Sequence, residues 1–455
     1  MTTTNKTTDL LLEQMDEVKH RVSKVLELAK SLGADGAEVA MSRQQGLSVG
    51  TRLGEVENVE FTNDGALGIT VYQQGRKGSA STADLSEKAL TQAVEAAVNI
   101  AKYTSVDDCS GLADKALLAM QVQDLDLYHP KALTTEQAID IAKACEQSAL
   151  ESDKRITNSD GASLDCFSGF KVYGNSHGQI AGYPSSRHSL SCVVIAGSDD
   201  EMQRDYAYDV NRDFSLLESG ISIGKKAADE VISRLNPQKI STMKTPVLFR
   251  ADIANTLWGH FIAAISGGNL YRKSSFLLDA LGKEVFPEFI SIEERPHIPK
   301  ALASSAFDSE GVVTTDRDII IDGALQTYLL TSYSARKLGL TTTGHAGGIH
   351  NWLVNTKNGH HSGDFDAMLK TLGTGLLVTE LMGQGVNVVN GDYSRGAAGF
   401  WVENGEIAYP VSEITIAGKL QDMFKGIVAV GSDIDTHGSI RTGSILIDEM
   451  QVAGQ

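Results

Sequence analysis

Histidine is the residue type of this sequence best suited to bind a metal. No histidine has an aspartate or glutamate as its neighbour in the sequence. A zinc-peptidase helix needs two histidines as ligands, together with a glutamate that acts as general base. None of the eleven histidines has Asp or Glu next to it, so no His-Glu zinc helix of any spacing is present. A metal site would need scattered ligands, and His260, His345 and His350 are the first suspects.

Each of these histidines also has an ordinary structural interpretation. His345 and His350 lie in the glycine-rich run Gly344-His-Ala-Gly-Gly-Ile-His350. Such a loop more often wraps a partner or a ligand backbone than holds a metal, because tight sites usually place their ligands on rigid elements. His260 lies in a helical pattern, where a hydrogen-bonded histidine is commoner than a catalytic one. His360-His361 lies in a polar stretch typical of a solvated loop. We therefore predict no metal ligand on this chain.

A second group of residues with chemical potential lies at Gly391-Asp-Tyr-Ser-Arg395-Gly-Ala-Ala-Gly399. Small residues let another backbone approach closely. Arg395 could bind a substrate carboxylate, although an internal ion pair is the commoner arrangement. We predict no catalytic residue on this chain. The candidates for contact with a substrate or partner are Gly383, Gln384, Asp392, Tyr393, Arg395, Gly396, His260 and His345.

Two other motifs carry no chemistry. Gly220-Ile-Ser222-Ile-Gly224 has the spacing of a nucleophile elbow, which requires a strand, a sharp turn and then a helix. The match lies inside a helical pattern, so it is interpreted as coincidence. No Walker A or Gly-x-Gly-x-x-G sequence is present, so nucleotide binding has no support.

Composition indicates a soluble globular protein with room for two or three domains. The 455 residues are 42% hydrophobic and 22% charged, and the net charge of −18 disfavours direct binding of nucleic acid. The polar start lacks the apolar core of a signal peptide, and no apolar run has the length of a membrane span. Four widely spaced cysteines suit a reducing compartment. We expect a cytoplasmic protein without membrane association.

Hydrophobic periodicity divides the first half into two similar units. An amphipathic helix over 9–33 precedes strands over 37–82, and a helix follows over 86–102. Turns of this antiparallel meander are predicted at 44–46, 53–55, 63–65 and 74–75.

The same order then repeats. Thr134-Thr-Glu-Gln137 is a capping box for a helix to about 151, strands follow over 163–208, and a helix spans about 214–234. This arrangement predicts two helix-strands-helix units, about 1–110 and 131–238, and a short echo between Asn63-Asp-Gly65-Ala and Asn158-Ser-Asp-Gly161-Ala suggests a pseudo-repeat.

The second half is rich in strands and glycine. Strand patterns cover 246–249, 312–322, 372–389 and 405–416, and Asp252 is a candidate cap for a helix over 253–265. We predict an α+β fold of two domains, an N-terminal α+β domain over 1–238 and a strand-rich, mixed-sheet domain over 239–455. Extended peptides often bind by adding a strand to a sheet edge, which suits the second domain.

Several stretches resemble the PmbA (TldE) branch of the TldD/PmbA peptidase family, which is also labelled modulator of DNA gyrase. The match covers nearly the whole chain in the expected order, and the longest stretch is highly specific. The matching stretches are Gly75-Arg-Lys-Gly-Ser-Ala-Ser-Thr82, Asp322-Gly-Ala-Leu-Gln-Thr-Tyr-Leu-Leu330, Ala335 to Gly344, Gly383 to Gly405, Ala408-Tyr-Pro-Val411 and Gly438-Ser-Ile-Arg-Thr-Gly443.

The resemblance implies a two-domain protein of a zinc peptidase pair. The TldD-like branch carries a His-Glu-x-x-x-His helix and a later cysteine ligand, whereas this chain has Gly259, His260 and Ala264 at the helix positions and no cysteine in Thr436-His-Gly-Ser-Ile-Arg441. Without ligands there is no metal-activated water.

The function that the resemblance implies is therefore that of a zinc-free subunit. We expect a subunit of a cytosolic peptidase for unfolded peptides, with zinc on a TldD-like partner and a homodimer possible in isolation. Two alternatives stay open: a metalloprotease in its own right with atypical ligands, and a non-enzymatic modulator of DNA gyrase or of regulatory proteins.

Overall fold

The computed structural model describes residues 3–198, 202–357 and 363–454, with side chains described from Leu10 onward. Helices and strands mix throughout the described chain, as the predicted α+β class requires. The helices are α1 (Thr3–Ser31), α2 (Glu87–Tyr103), α3 (Thr135–Leu150), α4 (Gly220–Ser233), α5 (Ala251–Ile265), α6 (Gly267–Tyr271), α7 (Ser332–Leu338), α8 (Phe365–Leu372) and α9 (Leu420–Lys425). No helix in the described ranges combines the length and the apolar character that crossing a membrane demands.

The N-terminal half forms one six-stranded antiparallel sheet in the order β3-β2-β1-β4-β5-β6. Its strands are β1 (Gly36–Arg52), β2 (Glu55–Gln73), β3 (Arg76–Thr82), β4 (Ile156–Asn175), β5 (Ile180–Ala196) and β6 (Gln203–Asn211). The two predicted helix-strands-helix units therefore share a single sheet, in which β1 of the first pairs with β4 of the second.

All four helices of this half cover the same face of the sheet. Met41 of β1 packs in the apolar cluster under α1 and α2, whereas Val49 of the same strand packs in the cluster under α3 and α4. Since side chains alternate along a strand and β1 pairs with β4 without a bulge, these two residues point to one side. The opposite face carries no helix of this half.

Two of the predicted turns are wrong. Residues 44–46 and 63–65 lie in the middle of β1 and β2 and face each other in register, with Gln44 opposite Asp64. An added Cβ on Gly46 would stand 2.3 Å from the Cys166 carbonyl oxygen, so glycine serves a close approach of two strands rather than a reversal. The chain reverses where it was predicted to at Leu53-Gly54, both with positive φ.

Local helix signals performed better than the turn signals. Ser86 caps α2, and Thr134 with Gln137 forms the predicted capping box of α3. The helix predicted over 214–234 is instead a short 3-10 turn at Phe214–Leu216, followed by α4. Asp252 is not the cap of α5, because Arg250 holds that position and Asp252 lies in the first turn, bonded to the Arg250 guanidinium at 2.8 Å.

The C-terminal half contains two more sheets, as the strand-rich prediction requires. One has the order β10-β9-β8-β11-β17, and the other contains a closed ring in which β7, β18, β15, β14 and β12 each pair with two neighbours. The strands are β7 (Met243–Phe249), β8 (Ile290–Glu294), β9 (Arg317–Ile321), β10 (Ala324–Leu325), β11 (Trp352–Thr356), β12 (Gly375–Met382), β13 (Val386–Asn387), β14 (Asp392–Glu403), β15 (Glu406–Lys419), β16 (Ile427–Val430), β17 (Ile440–Arg441) and β18 (Ile445–Ala453).

The main core of this half lies between the ring and the five-stranded sheet. α5 contributes Leu257, Trp258 and Phe261, all at most 1% exposed, to an apolar cluster that includes residues of both sheets. α5 therefore leaves only a narrow side toward solvent.

The strand pattern predicted over 312–322 shortens to β9, because the chain before it runs through isolated bridges at Val312 and Val313.

Candidate functional site

The three positions of α5 at which the resemblance would place zinc-helix residues have different surroundings. Gly259 is exposed, and an added Cβ would meet no atom within 4 Å. Ala264 is fully buried, and its carbonyl accepts a hydrogen bond from the Ser275 hydroxyl at 2.6 Å. Neither residue can coordinate a metal, because Gly259 has no side chain and Ala264 carries only a methyl group.

His260, the middle position, belongs to a small polar group whose members the sequence predicted only as separate candidates. Its ring lies edge to face against Tyr393 of β14, with ring centroids 5.8 Å apart. Burial lowers the pKa of His260, and the positive charge of Arg395 lowers it further, so the imidazole is neutral at pH 7. Burial raises the pKa of the Tyr393 phenol, which is also neutral. The fold thus joins three of the eight candidates.

Each of these three side chains holds a buried polar atom that has no hydrogen-bond partner. The atoms are His260 Nε2, the Tyr393 hydroxyl and Arg395 Nε. Arg395 makes no ion pair with any described residue, and the carboxylate nearest in sequence, Asp392, pairs with Lys419 at 3.1 Å instead. Unpartnered buried polar atoms are costly in folded proteins. The phenol and the guanidinium are donors that suit a carbonyl or carboxylate oxygen.

The remaining candidates are placed around or away from this group. Gly383 and Gln384 are exposed in the turn after β12, and Gly383 has φ +75°. Gly396 lies opposite Met382, and an added Cβ would stand 3.3 Å from the Met382 Cβ. His345 lies outside this group and belongs to a second, buried cluster.

The second cluster contains the residue types of a metal site. Ligand atoms of Glu294, His345 and His350 lie within 4.8 Å of one another among the described residues. Glu294 ends β8, and both histidines come from the loop between α7 and β11, where Gly347 and Gly348 adopt positive φ. Glu294 was not among the residues predicted from the sequence. Its signal was the alternation Ile290-Ser-Ile292-Glu-Glu294, which places a carboxylate on the buried side of the strand.

Three hydrogen-bonding groups surround the Glu294 carboxylate. Its Oε2 lies 2.8 Å from His345 Nε2, and its Oε1 accepts from the His350 amide at 2.7 Å and from the Trp352 indole at 3.2 Å. Burial alone would raise the pKa of Glu294, but His345 and His350 bring that pKa to about 2. The carboxylate is therefore ionised and holds the histidine loop against β8.

A catalytic zinc does not fit this cluster. Such a site keeps an open position for water, whereas the side chains of Glu294, His345 and His350 are 2%, 2% and 9% exposed. Both carboxylate oxygens of Glu294 also make hydrogen bonds, which a metal would have to displace. His360 and His361 lie outside the described residues.

The loop where the resemblance would place a cysteine ligand, at residues 436–441, has a histidine between two aspartates. His437 Nδ1 lies 2.6 Å from Asp435, and His437 Nε2 lies 3.1 Å from Asp209 of β6. The hydrogen bond to Asp435 raises the pKa of His437, although partial burial opposes it. The imidazole thus joins the C-terminal loop to the N-terminal sheet.

Three domains of one known family match successive segments of the chain. The PmbA/TldA metallopeptidase domain 1 matches residues 37–101, the central domain matches 128–235, and the C-terminal domain matches 242–454.

Similar proteins span nearly the full length. A "Metalloprotease PmbA homolog" of Haemophilus influenzae is 58% identical over 98% of both chains, and the "Metalloprotease PmbA" of Escherichia coli O157:H7 is 58% identical over 96% of both. A crystal structure of a putative modulator of DNA gyrase from Bacteroides thetaiotaomicron is 28% identical, with a TM-score of 0.91 over 97% of this chain and 99% of the other.

More distant matches come from both branches of the family. A "Metalloprotease TldD homolog" of Haemophilus influenzae is 22% identical over 96% of this chain and 91% of its own length. The crystal structure of TldE from Thermococcus kodakarensis is 20% identical, with a TM-score of 0.78 over 95% of this chain and 100% of the other, and so shares the fold.

Proposed function

Because this chain belongs to the PmbA/TldD metallopeptidase family, we propose that it is a subunit of a peptidase whose zinc lies on a TldD-like partner chain. In this proposal the chain binds and positions unfolded peptides in the cytoplasm and carries no catalytic residue of its own. Its relatives of both kinds, TldD and TldE, support the existence of such a partner.

The observation that carries the proposal is the state of α5. The resemblance to the zinc-carrying branch would place two zinc ligands at positions 259 and 264 of this helix. Here one position is an exposed glycine with open space and the other is a fully buried alanine. Neither position can coordinate a metal, and the half-buried His260 between them has no carboxylate beside it to complete a site.

The group formed by His260, Tyr393 and Arg395 supports a binding role at the same place. Its unpartnered buried atoms suit an oxygen of a peptide backbone or of a partner chain. Tyr393→Phe removes only the hydroxyl and so leaves the packing of the ring intact. We expect it to lower turnover by the mixed complex while the stability of the chain alone stays within about 0.5 kcal/mol of the parent. Tyr103→Phe, at a residue that is 89% exposed, is the matched control.

A bulky substitution at Gly396 tests whether backbones meet at β14. We expect Gly396→Trp to abolish peptidase activity of the mixed complex, because the indole would fill the space that an approaching backbone requires. Unchanged turnover, with a chain that still folds, would reject the placement of the contact at this residue.

The decisive experiment is elemental analysis of the purified chain after mild dialysis, alone and with a TldD-like chain. We expect near zero zinc on this chain alone and peptide hydrolysis only in the mixture. About one zinc per chain, together with hydrolysis by the chain alone, would overturn the proposal.

The second candidate function is a metalloprotease in its own right, which would require the closed cluster around Glu294 to open and admit both a metal and water. Glu294, His345 and His350 bring three possible ligands together. If this cluster held the metal, Glu294→Gln would release it from the purified chain. The zinc measurement on parent and variant therefore decides between the two candidates.

A modulator of DNA gyrase without hydrolytic activity is the remaining alternative. Its support is the similarity to the Bacteroides thetaiotaomicron protein, whose name refers to modulation of DNA gyrase. Capture of gyrase by the tagged chain, tested with and without the TldD-like chain, would separate this role from a peptidase subunit.

A further inference from the structure

A cleft on the helix-free face of the N-terminal sheet is lined by an excess of cations. It has a volume of about 490 Å³, and the cationic side chains that line it are Lys171, Arg187 and Arg212, together with a single carboxylate, Asp64. The whole chain has 58 acidic and 40 basic residues, so this local balance is the reverse of the overall one. A reversed balance in one cleft indicates a preference for an anion.

The strand register fixes where two of these cations stand. Lys171 of β4 lies opposite Tyr183 of β5, Gly169 lies opposite Ser185, and Phe167 lies opposite Arg187. These rows are two residues apart, so all their side chains point to the same face, away from the helices. Lys171 and Arg187 are exposed and stand about 13 Å apart along the strands, with Gly169 and Ser185 as a low floor between them.

No described carboxylate neutralises these cations by an ion pair. The Lys171 ammonium lies 4.8 Å from the ring centre of Tyr183, and Arg187 makes no hydrogen bond or ion pair within the described ranges. The Arg212 guanidinium donates hydrogen bonds to the carbonyl oxygens of Ser186, Ala301 and Leu302. Both charges that face solvent are therefore available to a ligand.

The nearest competing carboxylates are held by other groups or lie at the margin. Asp165, in the row next to Arg187, accepts hydrogen bonds from Ser48 at 2.5 Å and Ser189 at 3.4 Å. Burial lowers the pKa of Arg212, and the charge of Arg187 lowers it further, so the two guanidinium groups act in the same cleft. Asp64 is exposed on β2, at the far side of the cleft.

We propose that this cleft binds an extended acidic peptide segment whose carboxylates lie four residues apart. Residues i and i+4 of an extended peptide point to one side and are about 13 Å apart, which matches the separation of Lys171 and Arg187. The inference rests on the proposed function for its ligand class, peptides. It adds the negative charge of the bound peptide and the spacing of its carboxylates. A nucleic acid is disfavoured by the net charge of −18.

The test is equilibrium binding to the full chain, without partner or metal, measured by fluorescence anisotropy. Three labelled ten-residue peptides are compared: one with glutamates at i and i+4, one with glutamates at i and i+3, and one with glutamines at i and i+4. We expect the first to bind at least about fivefold more tightly than either other peptide, and the advantage to fall as salt is added.

Charge-reversed variants locate the binding. Lys171→Glu and Arg187→Glu should each weaken the first peptide by about fivefold or more. Lys154→Glu, an exposed residue on the turn between α3 and β4, makes the same change in net charge outside the cleft and should leave binding nearly unchanged. Thermal unfolding of each variant checks that it folds.

Three outcomes would overturn the proposal. They are equal binding of the three peptides, an equal loss in the Lys154 and Arg187 variants, and tighter binding of a single-stranded oligonucleotide that depends on Lys171 and Arg187. Because this measurement needs neither zinc nor a partner, its failure would leave the zinc-free subunit proposal untouched, and zinc on the chain would leave this binding result standing.

Discussion

The zinc-helix position on α5 and the Glu294 cluster are opposite cases of an incomplete metal site. The resemblance to the TldD-like branch would place a metal at α5, but this helix offers an exposed glycine, a histidine and a buried alanine. The Glu294 cluster has a carboxylate and two imidazoles in contact, but it is buried from water and its carboxylate already makes three hydrogen bonds. One region has the location without the ligands, and the other has the ligand types without the access.

This contrast shows that residue type alone does not identify a metal site. The donors around Glu294 stabilise an ionised carboxylate in the core, which is a structural task. The polar atoms around α5 lack partners, which is the condition expected where something else binds. The hydrogen-bond state of each group, rather than its identity, separates the two regions.

Removing the Glu294 carboxylate should produce the largest effect. Glu294→Ala leaves the His345 ring, the His350 amide and the Trp352 indole without an acceptor, so we expect a loss of about 3–5 kcal/mol in the free energy of unfolding. Urea denaturation measures it.

The matched control for that variant is Glu403→Ala. The exposed Glu403 also accepts from a tryptophan indole, Trp401, at 3.1 Å, and we expect a loss below about 1 kcal/mol. Similar losses in the two variants would erase the distinction between a closed network and an open surface.

Acid should weaken the same cluster. The pKa of Glu294 is about 2 in the folded chain and near the ordinary 4.5 in the unfolded chain. The contribution of the ionised carboxylate to the free energy of unfolding is therefore complete above pH 4.5 and declines as the pH falls toward 2. The shift corresponds to about 3 kcal/mol at most.

Unfolding curves between pH 6 and 3 should therefore show the difference in stability between the parent and Glu294→Gln becoming smaller as the pH falls. A difference that stays constant over this range would mean that the carboxylate titrates normally and that the cluster is looser than its distances indicate.

Histidines introduced on α5 should have unequal costs. Ala264→His places a large side chain in a fully buried position and should destabilise the chain by about 1–3 kcal/mol. Gly259→His meets open space and should be neutral or slightly stabilising, since glycine is a poor helix former. Thermal unfolding compares the two. Equal tolerance of both, with zinc bound by the double variant, would show that α5 can still converge on a metal.

The smallest effect concerns the loop around His437. Because the pKa of His437 is raised in the folded chain, its protonated imidazole contributes fully to the free energy of unfolding below about pH 6.5. This contribution is lost as the pH rises through the higher pKa of the folded chain. His437→Gln should remove less than about 1 kcal/mol of this dependence between pH 6 and 8, because the side chain is 33% exposed. His20→Gln on α1 is the control, and an equal response in both would place the effect outside the loop.

Local signals in the sequence were sufficient for the helices and their caps. Ser86, Thr134 and the turn at Leu53-Gly54 act over a few residues, so their meaning does not depend on the rest of the fold. The group at His260, Tyr393 and Arg395 was foreseen only as separate candidates, because β14 and α5 are far apart in sequence.

Long-range contacts explain what could not be predicted from the sequence. Gly46 and its neighbours have turn composition, but they serve a close strand approach that depends on β4. Glu294 could be noticed from its alternation with Ile290 and Ile292, yet its role required the histidine loop, which lies about fifty residues later. Neither contact has a local signature.

The closed ring of β7, β18, β15, β14 and β12 also has a consequence for hydrogen–deuterium exchange. Each of its strands has a neighbour on both sides, so ring amides such as those of Val247 and Leu248 should exchange only on the slowest timescale. β3 and β6 each pair on one side and should exchange faster. A bound strand that pairs with an edge would then be seen as slowed exchange at β3 or β6, whereas the ring would give no change.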